Sequence, residues 1–379
     1  MASRSGILLI VCAAALVGLG MTMLASTNFY LDADKGGGDT YKNVWSQVCW
    51  LALGVGALIS GTVLNYQHLH RFRWWLLGFS LLAMLACLWD VTGHKVNGAS
   101  RWLAIGGQPS EFAKIALIIA LAAWYSKHQA TTHQFLQGTL YPLLILAAIL
   151  GAFWLQRDLG NAILIGVVAL AVMFTAGMRI FHIAAIFLLG IASAVFAVLA
   201  IPNRVARIKA YLDPTNHADM DLQQFISRLA FGSGGLEGRG LGEGRMKLSY
   251  LPEAHTDFIF PMVGEELGFY GTIGTIAAFV IIIIAGMCVS AYAPDRFGKL
   301  LGMGLTTLLA CEALMNMGVT TSLLPNKGLP LPFVSYGGSA LLAACLILGI
   351  LLNIHRQGVY LTRDQLPIIR RKSRWTPQM

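Results

Sequence analysis

The sequence predicts an all-α polytopic membrane protein with ten transmembrane helices and a large extracytoplasmic loop between helices seven and eight. Three observations predict it. Of 379 residues, 56% are hydrophobic and only 12% are charged, whereas a soluble domain carries about 25% charged residues. Mean hydropathy is +0.65. Windows of roughly 20 apolar residues, the length needed to cross about 30 Å of hydrocarbon at 1.5 Å per residue, recur along the whole chain. This composition excludes a soluble enzyme, and nothing in it supports nucleic-acid binding.

The windows fall near 6–26, 44–64, 74–92, 108–126, 140–156, 159–177, 181–202, 259–292, 298–318 and 337–354. An even number returns both termini to one side, and the tail from Arg356 to Arg374 holds six of the 27 Lys and Arg residues. By the positive-inside bias that side is the cytoplasm. The short loops with Arg71 and Arg73, Lys127, Arg179, and Arg296 with Lys299 fall on the same side, while Lys35, Lys95 and Arg157 fall outside. The expected organisation is one transmembrane domain over 1–355, with the loop at about 203–258, and a basic cytoplasmic tail over 356–379. Residues 1–25 resemble a signal peptide, but the apolar run is long and lacks a small-x-small cleavage site, so it reads as a retained first helix. The cysteines all lie in apolar windows without paired spacing and read as small buried hydrophobes.

In a bilayer the informative residues are those that resist it, because a central charge costs about 2.5–3.5 kcal/mol on the insertion scale. Glu111 and Lys114, three apart in Gln108-Pro109-Ser110-Glu111-Phe112-Ala113-Lys114, share one face of the fourth helix. They read either as a neutralised pair joining two helices or as the polar wall of a cavity open to the outer leaflet. Gln156-Arg157-Asp158 sits in a tight connection where Asp158 can cap helix six, or can face the same cavity, available to a divalent cation or to Lys114.

The longest polar interruption, 203–258, carries seven Lys or Arg, including Arg204 and Arg207, and the run Gly232-Ser233-Gly234-Gly235-Leu236-Glu237-Gly238-Arg239-Gly240. A dinucleotide fingerprint is rejected there, since no strand precedes it and no βαβ unit follows. The glycines read as sites where backbone approaches a bulky ligand or bends in re-entrant turns. The loop ends in Tyr250-Leu251-Pro252-Glu253-Ala254-His255-Thr256-Asp257-Phe258, which delivers acids and an imidazole to the mouth of helix eight, with Glu265 and Glu266 close behind. Between helices nine and ten, three prolines and three glycines within 324–339 prevent regular helix, so that segment must pack against protein or water rather than lipid.

On these residues the chain resembles the SEDS family of shape, elongation, division and sporulation proteins (FtsW, RodA and SpoVE). The resembling motifs are Gly98-Ala99-Ser100-Arg101-Trp102 with Gln108-Pro109-Ser110-Glu111, the turn at 156–160, Ala230-Phe231-Gly232-Ser233-Gly234-Gly235, Pro252-Glu253-Ala254-His255-Thr256-Asp257-Phe258, Gly264-Glu265-Glu266-Leu267-Gly268 and Ser335-Tyr336-Gly337-Gly338-Ser339. Ala254 and Asn326-Lys327-Gly328-Leu329 look more like the FtsW branch than the RodA branch. Two departures stand out: Arg157 replaces the usual proline of the Gln-Pro-Asp turn, and Ile226 stands where relatives carry a second glutamine.

The resemblance implies a peptidoglycan glycosyltransferase that polymerises lipid II at the outer face of the cytoplasmic (inner) membrane, in cell division at the septum. Its implied partners are a class B penicillin-binding protein transpeptidase and other divisome or elongasome membrane proteins, besides lipid II and membrane lipid. A RodA-type elongation polymerase and a lipid II flippase are the alternatives. The resemblance assigns Asp257 as the base for the acceptor hydroxyl, oriented by His255 and Thr256. Lys114, Arg101, Arg204 and Arg207 are the expected counter-charges for the departing diphosphate, with Glu111 and Ser335 as further substrate-binding residues. No cofactor is required by the motifs; a divalent cation, Mg or Mn, stays open, with Asp158 and Glu253 as candidate ligands.

Overall fold

The computed structural model describes residues 2–34, 42–89, 93–96, 99–103, 107–200, 205, 222–246 and 256–372. Its helices, in chain order, are α1 (Ala2–Asp34), α2 (Lys42–Val63), α3 (Gln67–Ala86), α4 (Pro109–Lys127), α5 (Tyr141–Leu155), α6 (Leu159–Thr175), α7 (Ile180–Leu199), α8 (Leu222–Gly234), α9 (Ile259–Ala291), α10 (Arg296–Thr320) and α11 (Gly338–Lys372). A small antiparallel hairpin, β1 (Gly93–Val96) and β2 (Ala99–Leu103), stands between α3 and α4, with Gly93 opposite Leu103 and an irregularity after His94.

Each of the ten predicted windows coincides with a helix. Among the described residues, seven helical stretches are long and apolar enough to cross a membrane unaided. The others fall short for local reasons. Helix α3 opens on Gln67, His68, His70, Arg71 and Arg73, α4 carries Glu111 and Lys114 in its first two turns, and α6 is only 17 residues long. The chain is a multi-pass membrane protein. One helix was absent from the sequence reading: α8 lies inside the 203–258 interruption, and at 13 residues it is too short to span.

Helix α4 is the hub. From Pro109 to Ala123 only Phe112 escapes burial, and its apolar side chains join those of α6 and α10 in one continuous core. A helix that is apolar all round and enclosed by protein is the form a central bundle helix takes. By contrast α7 buries only Ala197, so most of its surface faces lipid. Helices α2 and α11 cross with backbones in contact: a β-carbon at Gly61 would lie 3.2 Å from backbone atoms of Gly349 and Ile350. Without a solvophobic drive between helices in lipid, such small-residue contact supplies the packing energy.

Helix α9 carries a kink at Gly268, whose φ is +65°. The glycine-rich run that follows α8 docks on it and takes over the backbone groups the kink releases. Phe269 donates to Gly235 O at 2.9 Å, while Arg239 and Gly240 donate to the carbonyls of Glu265 and Glu266 at 3.0 Å each. Satisfying freed peptide groups within protein is obligatory in a bilayer. The glycines therefore let this loop approach a neighbouring helix backbone, and the close approach is to α9.

Candidate functional site

The site grows from the first turns of α4. Pro109 occupies the start of the helix, where a missing N–H costs nothing. The next turns place Glu111 and Lys114, 5% and 2% exposed, on a common face. The Lys114 ammonium has three protons to place, and three oxygens surround it. Glu111 Oε1 lies at 2.9 Å, Glu312 Oε1 of α10 at 2.5 Å, and Asn161 Oδ1 of α6 at 3.5 Å. Lys114 thus ties three helices together. Glu312 escaped the sequence reading although it is a carboxylate in an otherwise apolar span, the signal that an intramembrane charge always gives.

Asp158 meets the capping expectation, and its ionic partner is not the expected Lys114. Its carboxylate caps α6 by accepting from the Asn161 backbone N–H at 3.3 Å, and it accepts from the Asn161 side-chain amide at 2.8 Å. The same carboxylate lies 3.6 Å from the ammonium of Lys327, not from Lys114. Asn161 stands between them, donating to Asp158 and accepting from Lys114. The turn leading into the cap is strained, with Arg157 at φ +58°. Gln156 stays on the buried side and donates to Met84 O at 2.8 Å.

Residues 321–337, joining α10 to α11, are non-helical as predicted, and Leu329, Leu331, Phe333 and Val334 bury against the bundle. Asn316 of α10 holds this segment to the entrance of α9: its side-chain amide donates to Leu329 O at 2.6 Å and to Asp257 O at 2.8 Å. Asp257 belongs to the turn just ahead of α9, and its Oδ2 occupies the space that a β-carbon on Gly328 would take. The described polar groups therefore link Glu312 and Lys114 through Asn161 and Asp158 to Lys327, and Gly328, next to Lys327 in the chain, lies against the Asp257 carboxylate. Thr256 is half-buried beside Asp257. Ser335, nominated for substrate, is 4% exposed, and its hydroxyl accepts from the Leu331 N–H at 2.8 Å, closing the turn of its own segment.

Helix α8 anchors the C-terminal end of α10 and the segment that follows it. Gln224 donates to Val319 O and Leu324 O at 2.8 Å each, and Ser227 donates to Thr320 O at 2.5 Å. Ile226, which departs from the motif the chain resembles, packs in a small apolar cluster with Ala230, Phe258, Met262 and Val319. Glu265 and Glu266 are fully enclosed. Glu265 accepts from the Arg245 N–H at 2.7 Å, and Glu266 accepts from the Gly242 N–H at 2.9 Å and from the Ser26 hydroxyl of α1 at 2.7 Å.

Of the remaining nominations, Arg204, Arg207, Glu253 and His255 lie outside the described residues, and Arg101 is described only as backbone in β2. Among the described residues no cluster of three or more metal-ligating side chains occurs. The surroundings of Asp158 do not fit a divalent cation. Both its oxygens are held by Asn161 and Lys327, whereas Mg or Ca sites gather several oxygens around the ion. No step is assigned to a metal.

A family profile described as a cell cycle protein, FtsW/RodA/SpoVE, matches residues 7–360. The chain is 39% identical over 358 residues to a probable peptidoglycan glycosyltransferase FtsW of Geobacter metallireducens, covering 93% of this chain and 94% of that protein. It is 40% identical to the Trichlorobacter lovleyi protein of the same description, with 92% of each covered. Among solved structures it is similar to a chain of a peptidoglycan synthase complex that coordinates polymerization and crosslinking, with a TM-score of 0.74, 27% identity, and 92% and 97% of the two chains covered. It is likewise similar to the Thermus thermophilus rod shape determining protein RodA, with a TM-score of 0.68, 27% identity, and 92% and 96% covered. The match of the family profile over residues 7–360 and the 39–40% identity to two relatives over more than nine-tenths of each chain establish that this protein belongs to the FtsW/RodA/SpoVE family.

Proposed function

We propose that this chain is a peptidoglycan glycosyltransferase that polymerises lipid II into glycan strands in cell division, alongside a class B penicillin-binding protein transpeptidase. The observation that carries the reading is the linked set of buried polar groups from Lys114 through Asn161 and Asp158 to Lys327, with the Asp257 carboxylate against the adjoining Gly328. Intramembrane charge is costly even when paired, and where it is kept it marks a site of chemistry or a substrate path. Joining a sugar hydroxyl to an anomeric carbon needs a base for the hydroxyl proton and positive charge for the departing diphosphate. Asp257, half-buried at the entrance of α9, is the proposed base. Because a sugar hydroxyl is far less acidic than a carboxylic acid, the proton moves to Asp257 only as the new glycosidic bond forms. The leaving diphosphate takes the old bond's electron pair, and a single displacement inverts the anomeric centre.

Among the described residues of the site, four carboxylates (Glu111, Glu312, Asp158 and Asp257) outnumber the two ammoniums of Lys114 and Lys327. A doubly charged leaving group therefore needs further cations, and Arg101, Arg204 and Arg207 are proposed for that role, with His255 and Thr256 steadying Asp257. The proposed topology has ten spans in the inner membrane, both termini cytoplasmic and the site at the outer face, working at the septum. The similarity to FtsW proteins and to a synthase-complex chain supports the division role and the transpeptidase partner. Reconstituted with that partner in proteoliposomes given lipid II, the chain is expected to form glycan strands. Translocation of fluorescent lipid II without strand formation would favour the transporter instead.

A further inference from the structure

The two ammoniums among the site's described polar groups are placed differently. Lys114 is enclosed: its side chain is 3% exposed, and Glu111, Glu312 and Asn161 surround its three protons. A ligand could reach it only by displacing those partners. Lys327 is more open, with 24% of its side chain exposed, and its ammonium stands 3.6 Å from Asp158 Oδ1. That separation is longer than a direct hydrogen bond, so the attraction across it is ionic. Of the two, Lys327 is the one a substrate can reach.

The chain around Lys327 is fixed on both sides. Asn326 donates its side-chain amide to Gln223 Oε1 of α8 at 3.0 Å, and Leu329 O accepts from Asn316 at 2.6 Å. Between them Gly328 lies against the Asp257 carboxylate, so Lys327 adjoins the residue that touches the proposed base. The lysine stem crosses the first turn of α6, where a β-carbon on Gly160 would collide with Lys327 Cε and Cγ. Glycine at 160 thus leaves a track for this side chain. At the end of the track, Asp158 accepts from the Asn161 N–H and from the Asn161 side-chain amide. Both bonds persist if the ammonium moves away, so its departure does not leave the carboxylate oxygens bare.

We propose that Lys327, and not Lys114, is the ammonium that meets the leaving diphosphate, moving from Asp158 to the departing oxygen as the donor bond breaks. The inference rests on the glycosyl-transfer reading of the site. In that reaction the anomeric C–O bond breaks, its electron pair stays with the diphosphate oxygen, and the proton of the acceptor hydroxyl passes to Asp257. Lys327 keeps its own protons and donates a hydrogen bond to the oxygen that gains charge, a task suited to a lysine acting as a point charge on phosphate. Lys114 stays with Glu111 and Glu312 and holds the helices together. Because the Lys327 contact strengthens as charge develops, its loss falls on kcat rather than on KM.

Steady-state polymerisation of lipid II in proteoliposomes with the partner transpeptidase tests the assignment, together with binding of undecaprenyl diphosphate to the full chain by native mass spectrometry. Lys327→Gln is expected to lower kcat about 30-fold with KM little changed, and to bind undecaprenyl diphosphate about tenfold more weakly. Lys327→Arg keeps the charge and is expected to restore most of both. Lys299→Gln, an exposed cation at the start of α10, is expected to behave as the parent does. If Lys327 only neutralised Asp158, the double variant Asp158→Asn/Lys327→Gln would recover parental kcat, since asparagine still caps a helix. It is expected to stay as slow as Lys327→Gln. Should Lys327→Gln not accumulate, the double variant, which leaves no unpaired acid at 158, carries the same expectation. Parental kcat in Lys327→Gln, or recovery in the double variant, would overturn the assignment and leave the polymerase reading standing. A parent that forms no strands would instead overturn that reading, and unchanged binding of undecaprenyl diphosphate by Lys327→Gln would then overturn the assignment as well.

Discussion

The carboxylate of Asp257 rests against the α-carbon of Gly328, in space that any side chain there would fill. This contact joins the entrance of α9 to the segment between α10 and α11, and Asn316 bonds to the backbone of both. The proposed base is thus positioned by a glycine and by an amide on a third helix. A displacement of about 1 Å in a reacting group can cost on the order of 100-fold in rate.

Gly328→Ala is therefore expected to lower kcat for glycan formation by about 100-fold while the apparent KM for lipid II changes little. The protein should still accumulate and melt near the parent temperature, because the collision is with a half-buried side chain rather than with backbone. Steady-state polymerisation kinetics check this. Parental kcat in this variant would detach Asp257 from the chemistry.

The Lys114 ammonium balances two carboxylates in a place where water is scarce. Lys114→Met should lower stability by about 3–5 kcal/mol, since it leaves Glu111 and Glu312 facing each other uncompensated. Adding Glu111→Gln to Lys114→Met should recover part of the loss, because only one buried charge then remains. Thermal unfolding in detergent of the two single variants and the double variant measures the coupling. Strictly additive losses would contradict it.

Glu265 and Glu266 hold the glycine loop onto α9 and α1. Glu266→Gln removes the charge from two hydrogen bonds and is expected to cost about 1–3 kcal/mol locally. Hydrogen exchange should quicken at the Gly242, Arg245 and Met246 amides, which the two carboxylates bind, and should not quicken in α4. Unchanged exchange at those amides would mean that backbone docking alone holds the loop.

The crossing of α2 and α11 makes a further demand. Gly349→Leu would drive a side chain into the backbone around Leu58, where a β-carbon alone already comes within 3.0 Å of the Cα. It should depress the melting temperature and the yield strongly. Gly56→Leu, facing open space on α2, should leave both nearly unchanged.

Much of this architecture was legible because the bilayer imposes a simple rule: about 20 apolar residues make a span, and each of the ten windows marks a helix. Helix α8 escaped because it is short and amphipathic, pressing Gln224, Ile226, Ser227 and Ala230 inward while sitting in a stretch read as loop. The kink at Gly268 escaped too, since one of several glycines near the start of a long helix gives no sign of which will break it or that another segment will dock there. Among the site candidates, Glu111 and Lys114 stood out because charge inside an apolar span is conspicuous, whereas Asp257, at the end of a polar stretch, was nominated through the resembling motif. Glu312 obeys the same rule, but as a lone acid within the apolar run of α10 it has no polar neighbours in sequence to mark it. Lys327 lay within a quoted segment, but its pairing with Asp158 depends on the loop's return path, which spacing does not encode. Ser335 stood out as a hydroxyl in a proline-rich run, yet its bond closes a local turn.

The central claim is that Asp257 accepts the proton of the acceptor hydroxyl, and one measurement addresses it most directly. Asp257→Asn keeps the side chain's shape and removes its basicity, so in proteoliposomes with lipid II and the partner transpeptidase it should form glycan at about 1% of the parental rate or less. The complex with the partner should survive purification intact. Glycan formation at the parental rate by that variant would contradict the account.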